Sequence, residues 1–346
     1  MTRASALAPA AIFLTLLATD GGAVQAGSHR VIFDTDFALP PQDDGLALAL
    51  ALNSPELEIV GITTVSGNFN LARANADVLR MLEITGRERI PVYAGAKRPL
   101  VHVKDAFAVT QHGEWWSDAP APMPPGGFAK KALETSSAVD FMTRTVMENR
   151  GQMEIIALGP LTNVAQAIQR EPGFATAVKR MVIMGGAVAL LADGAGNITP
   201  NAEFNFWVDP EAARIVLRSG IPIELSALNV SRKTGLTKQW YERLVAMETP
   251  LTRLIKGQME QVYAANSNRS LLMFDEVAVG SVIDPAIVKT ESMIVDVDIN
   301  QDVNYGVSVG GRRPWPGAEG ARTMAVQYDI DWNRFITMFV DRVGRR

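Results

Sequence analysis

Short apolar runs alternate along the chain with longer segments whose apolar residues recur at helical spacing. The apolar runs are predicted strands: residues 31–33, 59–65, 154–158, 181–184 and 221–225. Helical spacing appears in residues 43–52, 71–84 and 332–343. Because strands that alternate with helices form a parallel sheet covered by those helices, the pattern predicts a single α/β domain with an open, mostly parallel central sheet flanked by helices.

The remaining segments complete this picture. Residues 238–280 have largely helical spacing, and residues 293–309 return to the alternation of strands. Residues 102–127 are rich in Pro, Gly and Trp, and residues 190–202 are rich in Gly and Asn, so both are predicted to be long loops. We expect these two loops to border a site.

Each predicted strand ends in polar residues or glycine. These ends are Asp34-Thr35-Asp36, Ser66-Gly67-Asn68, residues 159–163, Gly185-Gly186 and Asn229. In open parallel sheets, ligands bind at the carboxyl ends of the strands. The pattern therefore places the active site at the C-terminal ends of the strands.

Composition and charge narrow the class of protein. The 346 residues are 47% hydrophobic, which is enough for a large core, and the formal net charge of -4 is spread without a basic stripe. Binding to a nucleic-acid polymer is therefore not expected, since it needs clustered Lys and Arg against the phosphates. The chain has no cysteine, so it forms no disulfides in any compartment.

The first residues resemble a leader. Arg3 supplies a positive charge, residues 10–18 are apolar, and Val24-Gln25-Ala26 resembles a cleavage site. The apolar stretch is shorter than the roughly 20 residues needed to span a bilayer. We therefore predict a signal peptide at residues 1–26, a mature domain at 27–346 without a membrane anchor, and export to the periplasm or the extracellular space.

Four carboxylates crowd the end of the first strand and the start of the following helix: Asp34, Asp36, Asp43 and Asp44. Such charges repel one another unless a cation holds them. Calcium prefers oxygen ligands, and the lack of Cys and scarcity of His disfavour zinc. The alternative is that Asp43 and Asp44 only complement the positive N-terminus of the helix. Their position beside the Asp-Thr-Asp strand end favours metal.

These residues resemble the opening motif of the inosine-uridine-preferring nucleoside hydrolases. The resemblance extends over nearly all of the mature chain, through Thr63–Asn68, residues 91–95, His112-Gly113, residues 158–163, residues 184–186, residues 202–205, residues 209–213 and Phe274-Asp275. It implies the nucleoside hydrolase fold and hydrolysis of ribonucleosides to base and ribose, as in purine and pyrimidine salvage. It also implies a small-molecule partner and a homo-oligomer, a dimer or tetramer.

The resemblance also assigns roles to residues. Asp36, Asp44, Asp275 and the main-chain carbonyl of Leu158 would bind Ca²⁺, and Asp43 would be the general base that activates a calcium-bound water. Asp34 would support the cluster from behind. The ribose pocket would be lined by Asn68, Met184, Asn197, Glu203 and Asn205, whose polar groups suit several hydroxyls at once.

Two departures from the family pattern affect the pocket. Residues 37–42 form a longer connection than usual between Asp36 and the Asp43-Asp44 pair, which would reshape the pocket beside the ribose. Phe274 stands where some members carry a His before the last metal-binding Asp. The most obvious acid for protonating the departing base is therefore missing.

Several residues are candidates for contacting the base. His112 is either a proton donor or a residue that structures its loop, and Tyr263 lies on the helical stretch before Asp275. Trp115 or Trp116 could form an aromatic sandwich with Phe274, as in a purine-selective branch of the family. The alternative is that the two Trp residues anchor their loop. Purine preference is thus a hypothesis.

Two other functions compete with hydrolysis. A phosphatase with Asp34 as nucleophile and Asp36 as acid would need a phosphate-holding Lys and a Ser or Thr after later strands, whose ends here offer mainly Gly and Asn. A non-catalytic periplasmic receptor for a nucleoside or sugar is the stronger alternative. Asp43 argues against it, because a receptor has no use for a base at the water position.

Overall fold

A computed structural model describes residues 28–104, 106–112 and 116–345, together with Met1; of residues 111 and 112 it describes only the backbone. The predicted signal peptide therefore lies, apart from Met1, outside the described residues, and both it and export stay predictions. Within the described ranges, no helix is long and apolar enough to cross a membrane.

Nine of the eleven strands in the described residues form one central sheet. The strands are β1 His29–Thr35, β2 Leu57–Thr64, β3 Val92–Ala94, β4 Met153–Ala157, β5 Arg180–Met184, β6 Ile223–Ser226, β7 Leu236–Thr237, β8 Ser270–Leu271, β9 Val288–Val297, β10 Ser308–Gly311 and β11 Arg322–Ile330. Their order in the sheet is β10-β9-β11-β6-β5-β4-β1-β2-β3, while β7 and β8 pair separately.

Seven neighbouring strands, from β11 to β3, run parallel, and only β9 and β10 are antiparallel additions. Along the chain, the sheet grows from β1 through β2 to β3 on one side and from β4 through β5 to β6 on the other. The order therefore reverses between β1 and β4. Such a switch point opens a crevice at the carboxyl ends of the two strands, where ligands bind in open α/β sheets.

Helices connect the strands. They are α1 Asp43–Leu52, α2 Leu71–Ile84, α3 Ala106–His112, α4 Ala138–Glu148, α5 Thr162–Arg170, α6 Phe174–Ala177, α7 Phe204–Val208, α8 Pro210–Arg218, α9 Leu228–Ser231, α10 Lys238–Val245, α11 Pro250–Ala265, α12 Asp275–Ile283 and α13 Trp332–Val343, with a 3-10 turn at Pro285–Ile287. This confirms the prediction of an α/β fold with a mostly parallel sheet flanked by helices.

The sheet has a hydrophobic core on each face. In β1, Val31 and Phe33 belong to one core and Ile32 to the other. The first core lies under α1, α2, α11, α12 and α13, and the second lies under α4, α5 and α8. Since successive side chains of a strand point to opposite faces, a strand buried on both sides must be apolar throughout. The unbroken apolar runs of the sequence have this cause.

The structure also departs from the predicted elements. Residues 102–127 are not entirely loop, because they contain α3. The strands β3 and β11 were not predicted, whereas the bounds of α1 and α2 are those predicted. β3 is only three residues long, and β11 is defined by its pairing with β6 and β9, which the local pattern does not reveal.

Candidate active site

A cavity of about 220 Å³ opens at the switch point between β1 and β4. It is lined by Gln42, Asp43, Asn68, Leu158, Met184, Asn197, Ile198, Glu203, Phe204, Asn205, Phe274 and Asp275. These residues follow the carboxyl ends of β1, β2, β4 and β5 or begin the helices beyond them. The structure thus brings most of the predicted site residues to one place.

Asp36 is fully buried one residue beyond β1. Its Oδ2 accepts a hydrogen bond from the backbone nitrogen of Asn68 at 2.5 Å, while Oδ1 has no donor. Glycines make room for the carboxylate: a Cβ would lie 2.0 Å from Asp36 Oδ2 if added at Gly67, and 2.6 Å from Oδ1 if added at Gly159. A buried, half-satisfied carboxylate is costly without a further partner.

Asp43 and Asp44 occupy the first turn of α1. Asp44 is fully buried; the hydroxyl of Thr35 donates to its Oδ1, and the Asn68 amide donates to its Oδ2 at 3.1 Å. Asp43 is partly buried and faces the cavity, and its Oδ1 accepts from the backbone nitrogen of Asp44 at 3.2 Å. The two neighbours therefore differ, with Asp44 held in place and Asp43 accessible.

Asp275 begins α12, which packs against α1. It is buried, and its Oδ1 has no hydrogen-bond donor. Oxygen atoms of Asp43, Asp44 and Asp275 lie within 4.8 Å of one another. Glu276 follows as a further buried carboxylate that was not predicted, and its Oε2 has no hydrogen-bond partner among the described residues.

Burial and mutual repulsion raise the pKa values of this cluster. Burial raises the pKa of Asp36 and Asp275 well above the usual 3.8, and neighbouring carboxylates add to the rise. Burial also raises the pKa of Asp44 to about 7, with repulsion from Asp43 contributing. Among the described residues no Lys or Arg forms a salt bridge with these carboxylates. An all-oxygen site with this charge fits a hard divalent cation such as Ca²⁺.

Asp34 supports the site without lining the cavity. It is fully buried in β1, and its Oδ1 accepts from Thr63 Oγ1 at 2.6 Å and from Asn163 Nδ2 at 2.8 Å. Burial raises its pKa to about 6. These contacts tie the ends of β1 and β2 to the start of α5.

The opposite wall is built by Glu203 and Asn205 at the start of α7. Glu203 accepts from the backbone nitrogens of Gly186, Asn205 and Phe206, so that its carboxylate fixes this turn. Burial nevertheless raises its pKa. The Asn205 amide donates to the carbonyl of Leu158 at 2.8 Å. The Leu158 carbonyl, the predicted metal ligand, is thereby held by a residue that lines the same cavity.

Three cavity residues were not predicted: Gln42, Ile198 and Phe204. Gln42 closes the long connection after Asp36, whose Phe37 and Ala38 are fully buried. This connection therefore does reach the pocket. The three are an amide and two apolar residues, and only their closeness in sequence to predicted site residues could have identified them.

Two predicted base contacts lie elsewhere. Tyr263 is buried against Tyr241, and its hydroxyl donates to the carbonyl of Leu236 at 2.5 Å, outside the cavity lining. Trp116 does not line the cavity either. It packs in a buried cluster with Trp207 and Tyr305, and this cluster reaches the cavity through Phe204 and Ile198. Phe274 does line the cavity. Trp115 and the side chain of His112 lie outside the described residues, so their roles stay predictions.

Comparison with known proteins agrees with this geometry. Residues 31–337 match the family model of the inosine-uridine preferring nucleoside hydrolases. The chain is 34% identical over 320 residues to the pyrimidine-specific ribonucleoside hydrolase RihA of Citrobacter koseri, covering 91% of this chain and 97% of the relative. It is 32% identical over 315 residues to RihB of Escherichia coli, also named pyrimidine-specific, covering 88% and 94%.

Solved structures show the same architecture. A plant nucleoside hydrolase, PpNRh1, superposes with a TM-score of 0.77 at 27% identity, covering 92% of this chain and 99% of the other. A purine-preferring ribonucleoside hydrolase from Gardnerella vaginalis gives 0.74 at 26%, covering 91% and 98%. The family match spans most of the chain and includes every carboxylate of the cluster. The chain therefore belongs to the inosine-uridine preferring nucleoside hydrolase family of N-glycosidases.

Proposed function

We propose that this protein hydrolyses ribonucleosides to free base and ribose with the help of Ca²⁺ bound by Asp36, Asp44, Asp275 and the carbonyl of Leu158. The observation that carries the proposal is the group of oxygen atoms of Asp43, Asp44 and Asp275 within 4.8 Å at a cavity lined by amides and carboxylates. When bound, a divalent cation supplies Lewis acidity toward water and toward neighbouring hydroxyls.

Asp43 is the proposed general base. It faces the cavity, and its Oδ1 accepts a long hydrogen bond of 3.2 Å from the backbone nitrogen of Asp44. Burial raises its pKa above the usual 3.8, which makes the carboxylate a stronger proton acceptor near neutral pH. Asp43 would take the proton of the attacking water, while Asn68, Glu203 and Asn205 orient the sugar hydroxyls.

We further propose that pyrimidine ribonucleosides are the preferred substrates. Two curated relatives, RihA and RihB, are named pyrimidine-specific, and both are similar to this chain over most of their length. The purine hypothesis relied on Trp115 or Trp116 beside Phe274, and Trp116 does not line the cavity. The described apolar wall for the base consists of Ile198, Phe204 and Phe274.

The test is ribose release from uridine, cytidine, inosine, adenosine and guanosine, with and without a calcium chelator. We expect release that stops on chelation and returns with added Ca²⁺, fastest with uridine or cytidine. Release that favours inosine or guanosine would support the purine hypothesis instead. Release that resists removal of all divalent ions would exclude the proposed role of the carboxylate cluster.

Substitution Asp43→Asn separates the enzyme from the receptor alternative. Loss of general-base catalysis is expected to lower kcat by about 10²–10⁴-fold. Binding of a nucleoside, measured by calorimetry, should change little because the amide keeps the size of the carboxylate. A receptor would bind nucleoside with Asp43 intact and release no ribose from any of the five.

A further inference from the structure

One wall of the cavity comes from a long irregular segment, the cavity loop, residues 189–202. Asn197 and Ile198 are its two residues that line the cavity. The side-chain oxygen of Asn197 accepts from the backbone nitrogen of Phe204 at 2.9 Å, whereas its amide nitrogen has no acceptor among the described residues. The position of this loop therefore determines where the Asn197 amide and the Ile198 side chain would contact a substrate.

The cavity loop has little regular structure of its own. Its backbone hydrogen bonds tie Gly196, Asn197 and Ile198 to carbonyls at 200 and 202, within the same loop. Asp193 adopts a left-handed conformation with φ of 61°, which non-glycine residues rarely do. The loop consequently needs contacts from the rest of the protein to keep one conformation.

Arg232 supplies such contacts. Its Nη1 donates to the carbonyl oxygens of Asp193 at 2.6 Å and Ala195 at 2.5 Å, and its Nη2 donates to the carbonyl of Gly196 at 2.8 Å. No carboxylate of the described residues pairs with this guanidinium. A planar fork with several donors can hold separate acceptors in a fixed arrangement. All three carbonyls belong to the four residues that directly precede Asn197 in the chain.

The start of the cavity loop is held by a residue of α9, the helix that Arg232 follows. Asn229 of α9 is fully buried; its Oδ1 accepts from the nitrogen of Val188, and its Nδ2 donates to the carbonyls of Val188 and Ala192. Arg232 follows α9 directly. Asn229 thus holds the start of the cavity loop, and Arg232 holds the part that leads to Asn197.

We propose that Arg232 is a positioning residue for substrate binding: it holds the cavity loop so that Asn197 and Ile198 face the substrate. Arg232 itself does not line the cavity and takes no part in bond breaking. The expected change in KM rests on the proposed function. The role of Arg232 in holding the cavity loop does not depend on that function.

The experiment compares Arg232→Ala and Arg232→Lys with the wild type. Arg232→Ala should raise KM for the best nucleoside by about tenfold with a much smaller change in kcat, because the wall moves while the carboxylate cluster stays in place. Hydrogen exchange of residues 193–198 should become faster in the absence of substrate. Arg232→Lys keeps the positive charge but lacks the planar guanidinium with its several donors. Its KM should therefore lie between those of the wild type and Arg232→Ala.

Lys233→Ala is the matched control, since the Lys233 ammonium contacts Asp329 at 3.3 Å rather than the loop. It should leave KM and the exchange of residues 193–198 unchanged. The proposal is overturned if Arg232→Ala leaves either quantity at its wild-type value, or if KM, kcat and the thermal midpoint all deteriorate together. If the wild type releases no ribose, the proposed function fails, and hydrogen exchange still decides whether Arg232 holds the loop.

Discussion

At the scale of single residues, the position of the Asp36 carboxylate depends on the space that its neighbours leave for it. Its carboxylate is enclosed by Gly67 and Gly159, and both positions leave less than a normal carbon contact distance for any Cβ. Side chains here would displace the proposed metal ligand rather than merely crowd a core. We therefore expect both glycines to be required for metal binding.

Substitution Gly67→Ala tests this requirement. The new Cβ would lie 2.0 Å from Asp36 Oδ2, so the carboxylate must move. We expect calcium affinity, measured by titration calorimetry, to fall by about 10–100-fold, as when a metal ligand loses its support. Gly257→Ala in α11 is the control, because its added Cβ meets no described atom within 4 Å beyond the neighbouring backbone of its own helix. Unchanged affinity in Gly67→Ala would contradict the role assigned to Asp36.

Residue type predicted the polar part of the site better than its apolar part. Asp43, Asn68, Glu203 and Asn205 line the cavity as expected, because carboxylates and amides at strand ends have few other places to be satisfied. Trp116 and Tyr263 do not line it. Aromatic residues pack equally well in a core or against a ligand, and the direction of packing is a property of the tertiary structure.

At the scale of elements, four carboxylates at the site lie in the first turns of two helices. Asp43 and Asp44 stand in the first turn of α1, and Asp275 and Glu276 stand in the first turn of α12. The positive N-terminal ends of both helices partly offset this charge. The helix-dipole alternative for Asp43 and Asp44 is therefore compatible with a metal site, and the contact between α1 and α12 combines the two pairs.

Tyr263 joins two elements through a hydrogen bond. Its hydroxyl, on α11, donates to the carbonyl of Leu236 in β7. Tyr263→Phe should lower the free energy of unfolding by about 1–2 kcal/mol, because a buried carbonyl loses its donor. Urea denaturation measures this loss.

Tyr241→Phe is the control, as the Tyr241 hydroxyl lies 3.5 Å from the Lys256 carbonyl and forms a weaker bond. The ratio kcat/KM should stay within about twofold of the wild type in both variants, since neither residue lines the cavity. A large rise in KM for Tyr263→Phe alone would restore the predicted contact between Tyr263 and the base.

Helix bounds were predicted more accurately than the strands at the sheet margins. α2 buries one face and has regular amphipathic spacing, whereas α1 is buried almost all round, as an apolar run that begins after Asp43 and Asp44. Both limits can be recognised in the local sequence. β11 has nine residues, but it is recognisable only through its parallel partner β6 and antiparallel partner β9. Strand pairing is a long-range property, which a local pattern does not contain.

At the scale of the whole molecule, the alternation of strands and helices was sufficient to predict the sheet and the edge that carries the site. It was not sufficient to predict the order of strands. The reversal between β1 and β4 follows from the direction in which each connection crosses the sheet. The cavity lies beyond the carboxyl ends of these two paired strands, where the following helices α1 and α5 pack on opposite faces of the sheet.

The metal-free protein should lose stability as pH rises from about 4 to 7. Burial raises the pKa of Asp34 to about 6 and of Asp44 to about 7 in the folded state, against 3.8 ordinarily. The folded state therefore binds more protons than the unfolded state in this range, and deprotonation costs about 1.4 kcal/mol per pH unit for each group. Glu56 and Glu154 have lowered pKa values, so their opposite effect falls below pH 4.5.

Thermal midpoints measured between pH 5 and 8, with chelator and with excess Ca²⁺, check this expectation. Stabilisation by Ca²⁺ should grow with pH, because the ion replaces the protons of the cluster. The assignment of a buried carboxylate site would be wrong if the chelated protein were more stable at pH 7.5 than at pH 5.

The position of the cluster along the chain has a consequence for folding. Asp36 follows the first strand, while Asp275 begins the next-to-last helix. A partly synthesised or partly folded chain that lacks α12 against α1 has an incomplete set of ligands. If the cluster binds metal as proposed, the complete site exists only in the folded molecule, and ion binding would require α1 and α12 to be in contact.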